Sequence, residues 1–151
     1  MPFQVTIQRE VDNQDIPSNE EFELWATESH QDPIVSIELN IRIVSPEEIK
    51  ALNKLYRGKD RMTNVLSFTS ALPASMPDTH LLGDVVICAD IVEAEALEFN
   101  KPLKDRWAHM VVHGCLHIQG FDHEDEEEQE FMEAEERRIL KKLRFSDPYT
   151  N

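Results

Sequence analysis

The stretch from residue 107 to residue 123, WAHMVVHGCLHIQGFDH, constrains this chain more than any other. His113 and His117 are four residues apart, so on a helix their side chains lie on one face about one turn apart. Gly120 suits the end of that helix, because glycine adopts the left-handed conformation at little cost. The chain can then turn and bring His123 back towards the first two imidazoles. The spacing therefore predicts a metal site on a helix and its following turn, with His113, His117 and His123 as ligands.

The expected metal is a catalytic zinc ion. Three neutral imidazoles that leave a fourth position open are the arrangement such an ion uses. We expect one Zn²⁺ per chain, and nitrogen ligands also suit other divalent transition metals. The same spacing occurs in metzincin peptidases, which carry a glutamate after the first histidine as general base, whereas this chain has Gly114 there. Peptidase activity is therefore a distant alternative, and three packing or capping histidines without metal are the structural one.

The length and composition predict one domain, residues 1–151, because 151 residues suffice for a single hydrophobic core. The first residues, MPFQVTIQREVDNQ, lack the basic cluster and apolar run of a secretory signal. The longest wholly apolar run, Val85 to Ala89, is five residues, far short of the ~20 that span a bilayer. Two cysteines do not make a disulfide framework. We expect a cytoplasmic protein without a membrane partner.

Hydrophobic periodicity and capping signals predict the order β-α-β-α-β-β-α-α-α. Ser18 and Glu21 form a capping box at the start of the first helix. Ser45 and Pro46 begin the second helix, and Gly58 ends it. The predicted strands are 3–9, 35–44, 65–69 and 81–88, and the later helices are 90–100, one from Pro102 through the histidines, and 124–143. The pattern predicts an α+β fold, a mixed sheet of about four strands packed by about five helices.

The net charge of −15 disfavours a nucleic-acid partner, but the charges are unevenly distributed. Residues 123–136 carry nine of the thirty acidic residues, and we interpret them as a solvated face of the last helix. The apolar seam of that helix is predicted to comprise Phe131, Ile139, Leu140 and Leu143. Residues 50–61 carry five of the fifteen basic residues: Lys50, Lys54, Arg57, Lys59 and Arg61. These cations either line one side of an RNA-binding cleft or are ordinary solvated charges.

Three stretches resemble one protein family. HGCLHIQGFDH is similar to the HGxLHLxGYDH signature of the YbeY family of metal-dependent bacterial endoribonucleases. LNKLYRGKDRMTNVLSF, residues 52–68, and LLGDVVI, residues 81–87, resemble that family's L-N-x-x-Y-R-x-K-D-x-P-T-D/N-V-L-S-F and L-G-D-I-V-I blocks. The departures are Phe121 for tyrosine, Met62 for the proline before Thr63, and Thr69 for a common proline. The family fold is likewise a four-stranded mixed sheet covered by helices.

The resemblance implies a zinc-dependent, single-strand-preferring endoribonuclease of ribosomal RNA maturation and ribosome quality control. Its implied partners are ribosomal RNA and the small ribosomal subunit, with no organic cofactor. The YRGKD match assigns Arg57 to an RNA phosphate, which a guanidinium binds through two parallel N–H donors. A zinc ion would lower the pKa of its bound water from ~16 to about 7. The alternative is a non-catalytic ribosome-assembly factor, whose structural zinc takes a fourth ligand such as His109.

For other residues of these stretches, the sequence predicts a role less specifically. His109 lies one turn before His113 on the same helix face, so it is a proton relay, a hydrogen-bond partner of a metal ligand, or a packing histidine. Cys115 lies about 200° around the helix from His113 and is expected to face the core. Ser67 and Asp84 lie in family-like strands, where we expect structural roles.

Overall fold

The computed structural model describes residues 3–32, 35–59, 63–69, 80–122 and 124–150. Within these ranges the chain forms four strands and five helices in the predicted order. The elements are β1 (Phe3–Arg9), α1 (Asn19–Glu28), β2 (Ser36–Val44), α2 (Pro46–Arg57), β3 (Val65–Thr69), β4 (His80–Cys88), α3 (Ala89–Glu98), α4 (Leu103–Ile118) and α5 (Glu126–Lys142). None of the described helices has both the length and the apolar composition of a membrane span.

The four strands form one mixed sheet in the order β1-β2-β4-β3. β1 and β4 both run parallel to β2, whereas β3 pairs with β4 in the antiparallel direction. The alternation in β2 follows the two faces of this sheet, because Leu39 and Ile41 are buried while Glu38 and Asn40 are exposed. β2 is therefore an interior strand with one exposed face. The predicted α+β class, with four strands and five helices, is confirmed.

Local capping chemistry sets the ends of the first two helices. The Ser18 hydroxyl accepts a hydrogen bond from the Glu21 backbone N–H at 3.2 Å, and the Glu21 carboxylate accepts one from the Ser18 N–H at 3.0 Å. The Ser45 hydroxyl caps α2 by accepting a hydrogen bond from the Glu48 backbone N–H at 3.2 Å, with Pro46 in the first turn. Gly58 ends α2 at φ 69°, a left-handed conformation that glycine adopts without a Cβ clash. These predictions are confirmed.

Two glycines let α4 lie close against the sheet. A Cβ added to Gly83 of β4 would lie 2.8 Å from the Ile118 side chain of α4. A Cβ added to Gly114 of α4 would lie 2.6 Å from Cγ1 of Val85 in β4. Each glycine therefore admits a branched side chain from the other element, and the two contacts fix how α4 is rotated. Cys115 on this helix is buried, as predicted, and burial raises the pKa of its thiol to about 12.

Aromatic side chains join α1 and α4 in the main core. Trp107 is fully buried, and its ring lies 5.7 Å from that of Phe22 in an edge-to-face arrangement. Trp25 packs in the same manner against Phe22 and Phe145. Truncating a side chain such as Trp107 to alanine typically costs about 3–5 kcal/mol. The core therefore holds α4 firmly in place beneath the site it carries.

The buried face of α5 differs from the predicted seam. Ile139 and Leu140 are buried as expected, but Phe131 is 62% exposed and the prediction for it is wrong. Met132 is buried instead, so the buried face of α5 is rotated by one residue from the predicted seam. Glu136 is four residues further along the same face and is fully buried. Most of the acidic run is exposed as predicted, yet one of its members lies inside the protein.

Candidate metal centre

Three histidines of α4 follow one another at intervals of four residues on one face of the helix. The ring centroids of His113 and His117 are 4.7 Å apart, and those of His109 and His113 are 6.2 Å apart. His113 and His117 are half-buried, whereas His109 is 5% exposed. Two of the three predicted ligands are therefore adjacent. His123, the third predicted ligand, lies outside the described residues.

Glu136 of α5 reaches this row of histidines from the core. Its Oε2 lies 2.6 Å from Nδ1 of His113, and its Oε1 lies 3.4 Å from Nε2 of His109. The Tyr149 hydroxyl donates a further, short hydrogen bond to Oε1. Burial by itself raises the pKa of Glu136, but its hydrogen bonds with His109 and His113 outweigh burial and hold the pKa well below the usual range. Glu136 is thus an ionised acceptor at the centre of a hydrogen-bond network.

Arg106 determines which nitrogen of His109 carries the proton. Its Nη1 lies 3.2 Å from Nδ1 of His109, and a guanidinium can only donate hydrogen bonds. Nδ1 therefore accepts, and the proton on Nε2 faces Glu136. Burial lowers the pKa of His109, which favours this neutral form. Both nitrogens of His109 are thus engaged in hydrogen bonds within the protein.

The same logic applies to His113 with the nitrogens exchanged. An ionised Glu136 can only accept, so Nδ1 of His113 carries the proton and donates it to the carboxylate. The lone pair of the ring then lies on Nε2. A carboxylate that fixes the tautomer and orientation of an imidazole in this way is typical of histidines that bind metals.

The segment that follows α5 holds Tyr149 against the network. Asp147 pairs with Arg137 of α5 at 3.1 Å, and its carbonyl accepts a hydrogen bond from Nζ of Lys101 at 3.2 Å. The Arg137 guanidinium also lies 5.1 Å from the centroid of the Tyr149 ring. These contacts bring the Tyr149 hydroxyl to Glu136. Burial and the neighbouring Glu136 charge raise the pKa of Tyr149, so the phenol remains a donor.

Together these groups form a cluster with metal-binding capacity. One ligand atom from each of His109, His113 and Glu136 lies within 4.8 Å of the others, so the cluster could hold a metal ion. Glu136 was not among the predicted site residues, because it belongs to the acidic run that the sequence favours as a solvated helix face. The available signal was its position, since it shares the helical stripe of Met132 and Ile139.

Arg57, which the resemblance assigns to an RNA phosphate, lines one cavity together with two of the histidines. A cavity of about 240 Å³ is lined by Arg57, Lys59, His113 and His117, together with Asn53 of α2 and residues 63–67 at the start of β3. We call this cavity the basic groove. Both cations are exposed, and neither forms an ion pair with any residue in the described part of the chain. The groove therefore combines possible metal ligands with two cations that no described residue neutralises.

Among the residues that the structure describes, the predicted cations Lys50 and Lys54 do not line this groove. Lys50 and Lys54 are exposed on α2, and Arg61 lies outside the described residues. The groove is also smaller than a cavity of about 560 Å³ between Gly120 and α5. That larger cavity is lined by acidic side chains, including Asp122 and Glu127, which repel a polyanion. Size alone therefore does not identify the functional cavity, and charge favours the basic groove.

Close packing explains why a peptidase base is missing at Gly114. The Ser67 hydroxyl donates to the Gly114 carbonyl at 3.1 Å, a structural role as predicted. The Gly114 Cα faces Val85 so closely that even a Cβ has no room. A glutamate side chain at this position would require α4 to separate from the sheet.

Fold and site define a small α+β protein whose central helix carries a histidine cluster able to hold a metal beside a cationic groove. A family model described as Endoribonuclease YbeY matches residues 6–144. The chain therefore belongs to the YbeY family, as the resemblance predicts. This is a family of endoribonucleases of ribosomal RNA maturation, which makes RNA the substrate class implied by membership.

A solved structure supports the same fold. The solution structure of TM1509 from Thermotoga maritima is 26% identical in sequence to this chain, with a TM-score of 0.51. The match covers 99% of each chain. The similarity therefore extends over the whole α+β domain.

Proposed function

We propose that this protein is a zinc-dependent endoribonuclease that prefers single-stranded RNA and acts in ribosomal RNA maturation and ribosome quality control. The observation that carries the proposal is that His113 and His117 line the same cavity as Arg57 and Lys59. A cation site and a phosphate site thus adjoin each other. We place its action in the cytoplasm, on ribosomal RNA and the small ribosomal subunit, without an organic cofactor.

We assign the zinc ion to His113, His117 and His123, with Glu136 as the residue that orients His113. The support is the separation of 2.6 Å between Oε2 of Glu136 and Nδ1 of His113. Two ligands of one tetrahedral zinc ion, each about 2.1 Å from it, lie about 3.4 Å apart. The shorter separation favours a shared proton over a shared metal, and it leaves Nε2 as the ligand atom of His113.

The groove supplies groups for each part of phosphodiester hydrolysis. When bound, zinc supplies a water of lowered pKa and a positive charge beside the phosphodiester. Arg57 presents parallel N–H donors to the phosphoryl oxygens, where negative charge increases in the transition state. Lys59 binds a neighbouring phosphate as a point charge. His109 does not contact the substrate in this scheme, and instead donates to Glu136 and so helps to hold His113.

The two alternatives are less compatible with the contacts described. A structural zinc site with His109 as fourth ligand needs a lone pair from that ring. Its Nδ1 accepts from Arg106 and its Nε2 donates to Glu136, so neither nitrogen is available without rearrangement. A metzincin-like peptidase needs a glutamate where Gly114 contacts Val85.

The test separates the two possible ligand sets. We would measure zinc content and affinity of His117→Ala and His109→Gln, and assay both variants for cleavage of single-stranded and duplex RNA. His117→Ala should lose stoichiometric zinc and cleavage, whereas His109→Gln should still bind zinc stoichiometrically, with a lower affinity because His113 is held less firmly. Loss of zinc from His109→Gln but not from His117→Ala would instead place the metal among His109, His113 and Glu136. Full RNA cleavage by zinc-free His117→Ala would contradict the proposed function.

A further inference from the structure

A second cavity adjoins the basic groove. Its volume is about 430 Å³, within the range of about 300–1,000 Å³ that is usual for small-molecule sites. The two cavities share Asn64 and His113 as wall residues, and their other walls differ. A ligand in the second cavity therefore lies next to a proposed metal ligand.

The walls of this second cavity are aromatic and apolar. Phe99 and Tyr149 line it and are 47% and 41% exposed, and Met110 and Pro148 complete the apolar surface. The Arg106 guanidinium lies over the Phe99 ring, 5.2 Å from its centroid. Aromatic rings and guanidinium planes are the surfaces on which proteins stack unpaired RNA bases.

The charges of the second cavity are already paired, in contrast to those of the basic groove. Arg106 forms an ion pair with Glu95 at 2.8 Å. The Asn64 amide also donates to the Glu95 carboxylate, at 3.2 Å. Because its one guanidinium is neutralised within the protein, the cavity is suited to an uncharged planar group rather than to a phosphate.

We propose that this cavity binds one nucleobase of the RNA, next to the phosphodiester held by Arg57 in the basic groove. The inference rests on the proposed function, because it assumes that RNA occupies the groove. Phe99 and the Arg106 plane provide the stacking surface, and Asn64 lies where the base-binding and phosphate-binding cavities meet. An unpaired base fits this arrangement and a base-paired one does not, since stacking in the cavity requires the base to leave a duplex. The site thus accounts for a preference for single strands.

The protein side of the test measures how the zinc-loaded Phe99→Ala variant binds a fluorescein-labelled single-stranded RNA oligonucleotide, over mixing times shorter than cleavage. Removing one stacked base typically weakens binding roughly 5- to 150-fold, and we expect a loss in that range. The matched control is Leu97→Ala, which truncates an apolar side chain two residues earlier, at the end of α3, that is 86% exposed and outside the cavity. It should bind within about twofold of the parent. Phe99→Tyr retains the ring and should restore binding if Phe99→Ala is impaired by lost stacking rather than by misfolding.

The RNA side of the test replaces each base near the cleavage position with an abasic residue, one at a time. One such replacement should weaken binding to the parent protein by the same factor as Phe99→Ala. That replacement should have no further effect in the Phe99→Ala variant, because the same contact cannot be lost twice.

The outcomes distinguish this proposal from the proposed function. If RNA is bound and cleaved but Phe99→Ala binds like Leu97→Ala, the nucleobase site is wrong and the endoribonuclease assignment stands. The same conclusion follows if abasic replacement and Phe99→Ala act independently. If the parent neither binds nor cleaves single-stranded RNA, both proposals fail together.

Discussion

His113 lies between two regions that differ in whether their charged side chains are paired within the protein. In the basic groove, the cations Arg57 and Lys59 are exposed and have no ion-pair partner among the described residues. In the interior, Arg106 is paired with a carboxylate, and Glu136 accepts hydrogen bonds from histidine and tyrosine. The cations of the groove can therefore bind a negatively charged ligand, whereas the charges of the network are already paired or hydrogen-bonded within the protein.

The difference indicates that the side chains on one side of His113 contribute to substrate binding, and those on the other side to stability and to the orientation of the ring. Exposed charges contribute little to stability, so they can be placed where a substrate needs them. Buried charges are costly unless they are fully hydrogen-bonded, and once satisfied they hold their side chains in one geometry. Variants in the groove should therefore change activity without changing stability. Variants in the network should change stability and metal binding together.

Arg57→Glu should give the largest effect. It removes the guanidinium from the transition state and adds a repulsive charge, so RNA cleavage should fall by at least about 10²–10³-fold. Zinc content and the urea midpoint should remain at parental values, because Arg57 is exposed. Lys50→Glu is the matched control, since it reverses an exposed charge on the same helix outside the groove. Parental cleavage rates in Arg57→Glu would show that the groove is not the phosphate site.

Glu136→Gln should affect both metal affinity and stability. The amide keeps the shape of the carboxylate but loses its charge, and its NH₂ group presents a donor towards another donor. Zinc affinity, measured by chelator competition, should fall about 10–100-fold. The free energy of unfolding of the metal-free protein should fall by about 1–3 kcal/mol. Glu130→Gln, at an exposed position of the same helix, should leave both quantities unchanged.

Tyr149→Phe should also lower stability and zinc affinity, but by less than Glu136→Gln. Only the hydroxyl that donates to Glu136 is lost, and a single hydrogen bond is worth about 0.5–1.5 kcal/mol. Urea unfolding should show a loss of that size, with zinc affinity reduced by less than tenfold. Tyr56→Phe is the natural control, because that ring is on α2 and 63% exposed. Equal effects of the two substitutions would mean that the Tyr149 hydroxyl does not support the network.

The smallest expected effect is a difference in salt dependence: salt should weaken RNA binding by the basic groove but hardly change the stability contributed by the Glu136 network. If Arg57 and Lys59 each bind a phosphate, log affinity for single-stranded RNA should fall with log salt at a slope of about −1.4. Arg57→Ala should reduce that slope by about 0.7. The contribution of Glu136 to stability should change little over the same range, because buried pairs are weakly screened. Equal salt sensitivity of binding and stability would remove the distinction between groove and network.

Much of the fold was predictable because local chemistry determines it. Ser18 with Glu21, and Ser45 with Gly58, set helix ends through contacts within a few residues. The adjacency of His113 and His117 also follows from helical geometry alone. In contrast, β2 and β4 are neighbours although a helix and another strand separate them in sequence. No local pattern specifies that pairing, so the strand order had to come from the structure.

The buried carboxylate was missed for a different reason. Glu136 is one of nine acids between residues 123 and 136, and eight such neighbours make a solvated face the simplest interpretation. Its burial depends on the rotation of α5 against α4, which is decided by the insertion of Met132 rather than Phe131 into the core. The histidines supply the hydrogen bonds that make burial of the charge possible. Composition cannot reveal such a partnership between distant helices.

The contact between Gly114 and Val85 also restricts how this domain can diverge. A lineage that gained a glutamate at position 114 would first need a smaller residue at position 85, and each change alone would weaken the packing of helix on sheet. Such a pair of mutually dependent changes is rarely reached by single steps. The packing of Gly114 on Val85 therefore opposes the gain of a glutamate general base, although the histidine spacing of the sequence is the one that metzincin peptidases use.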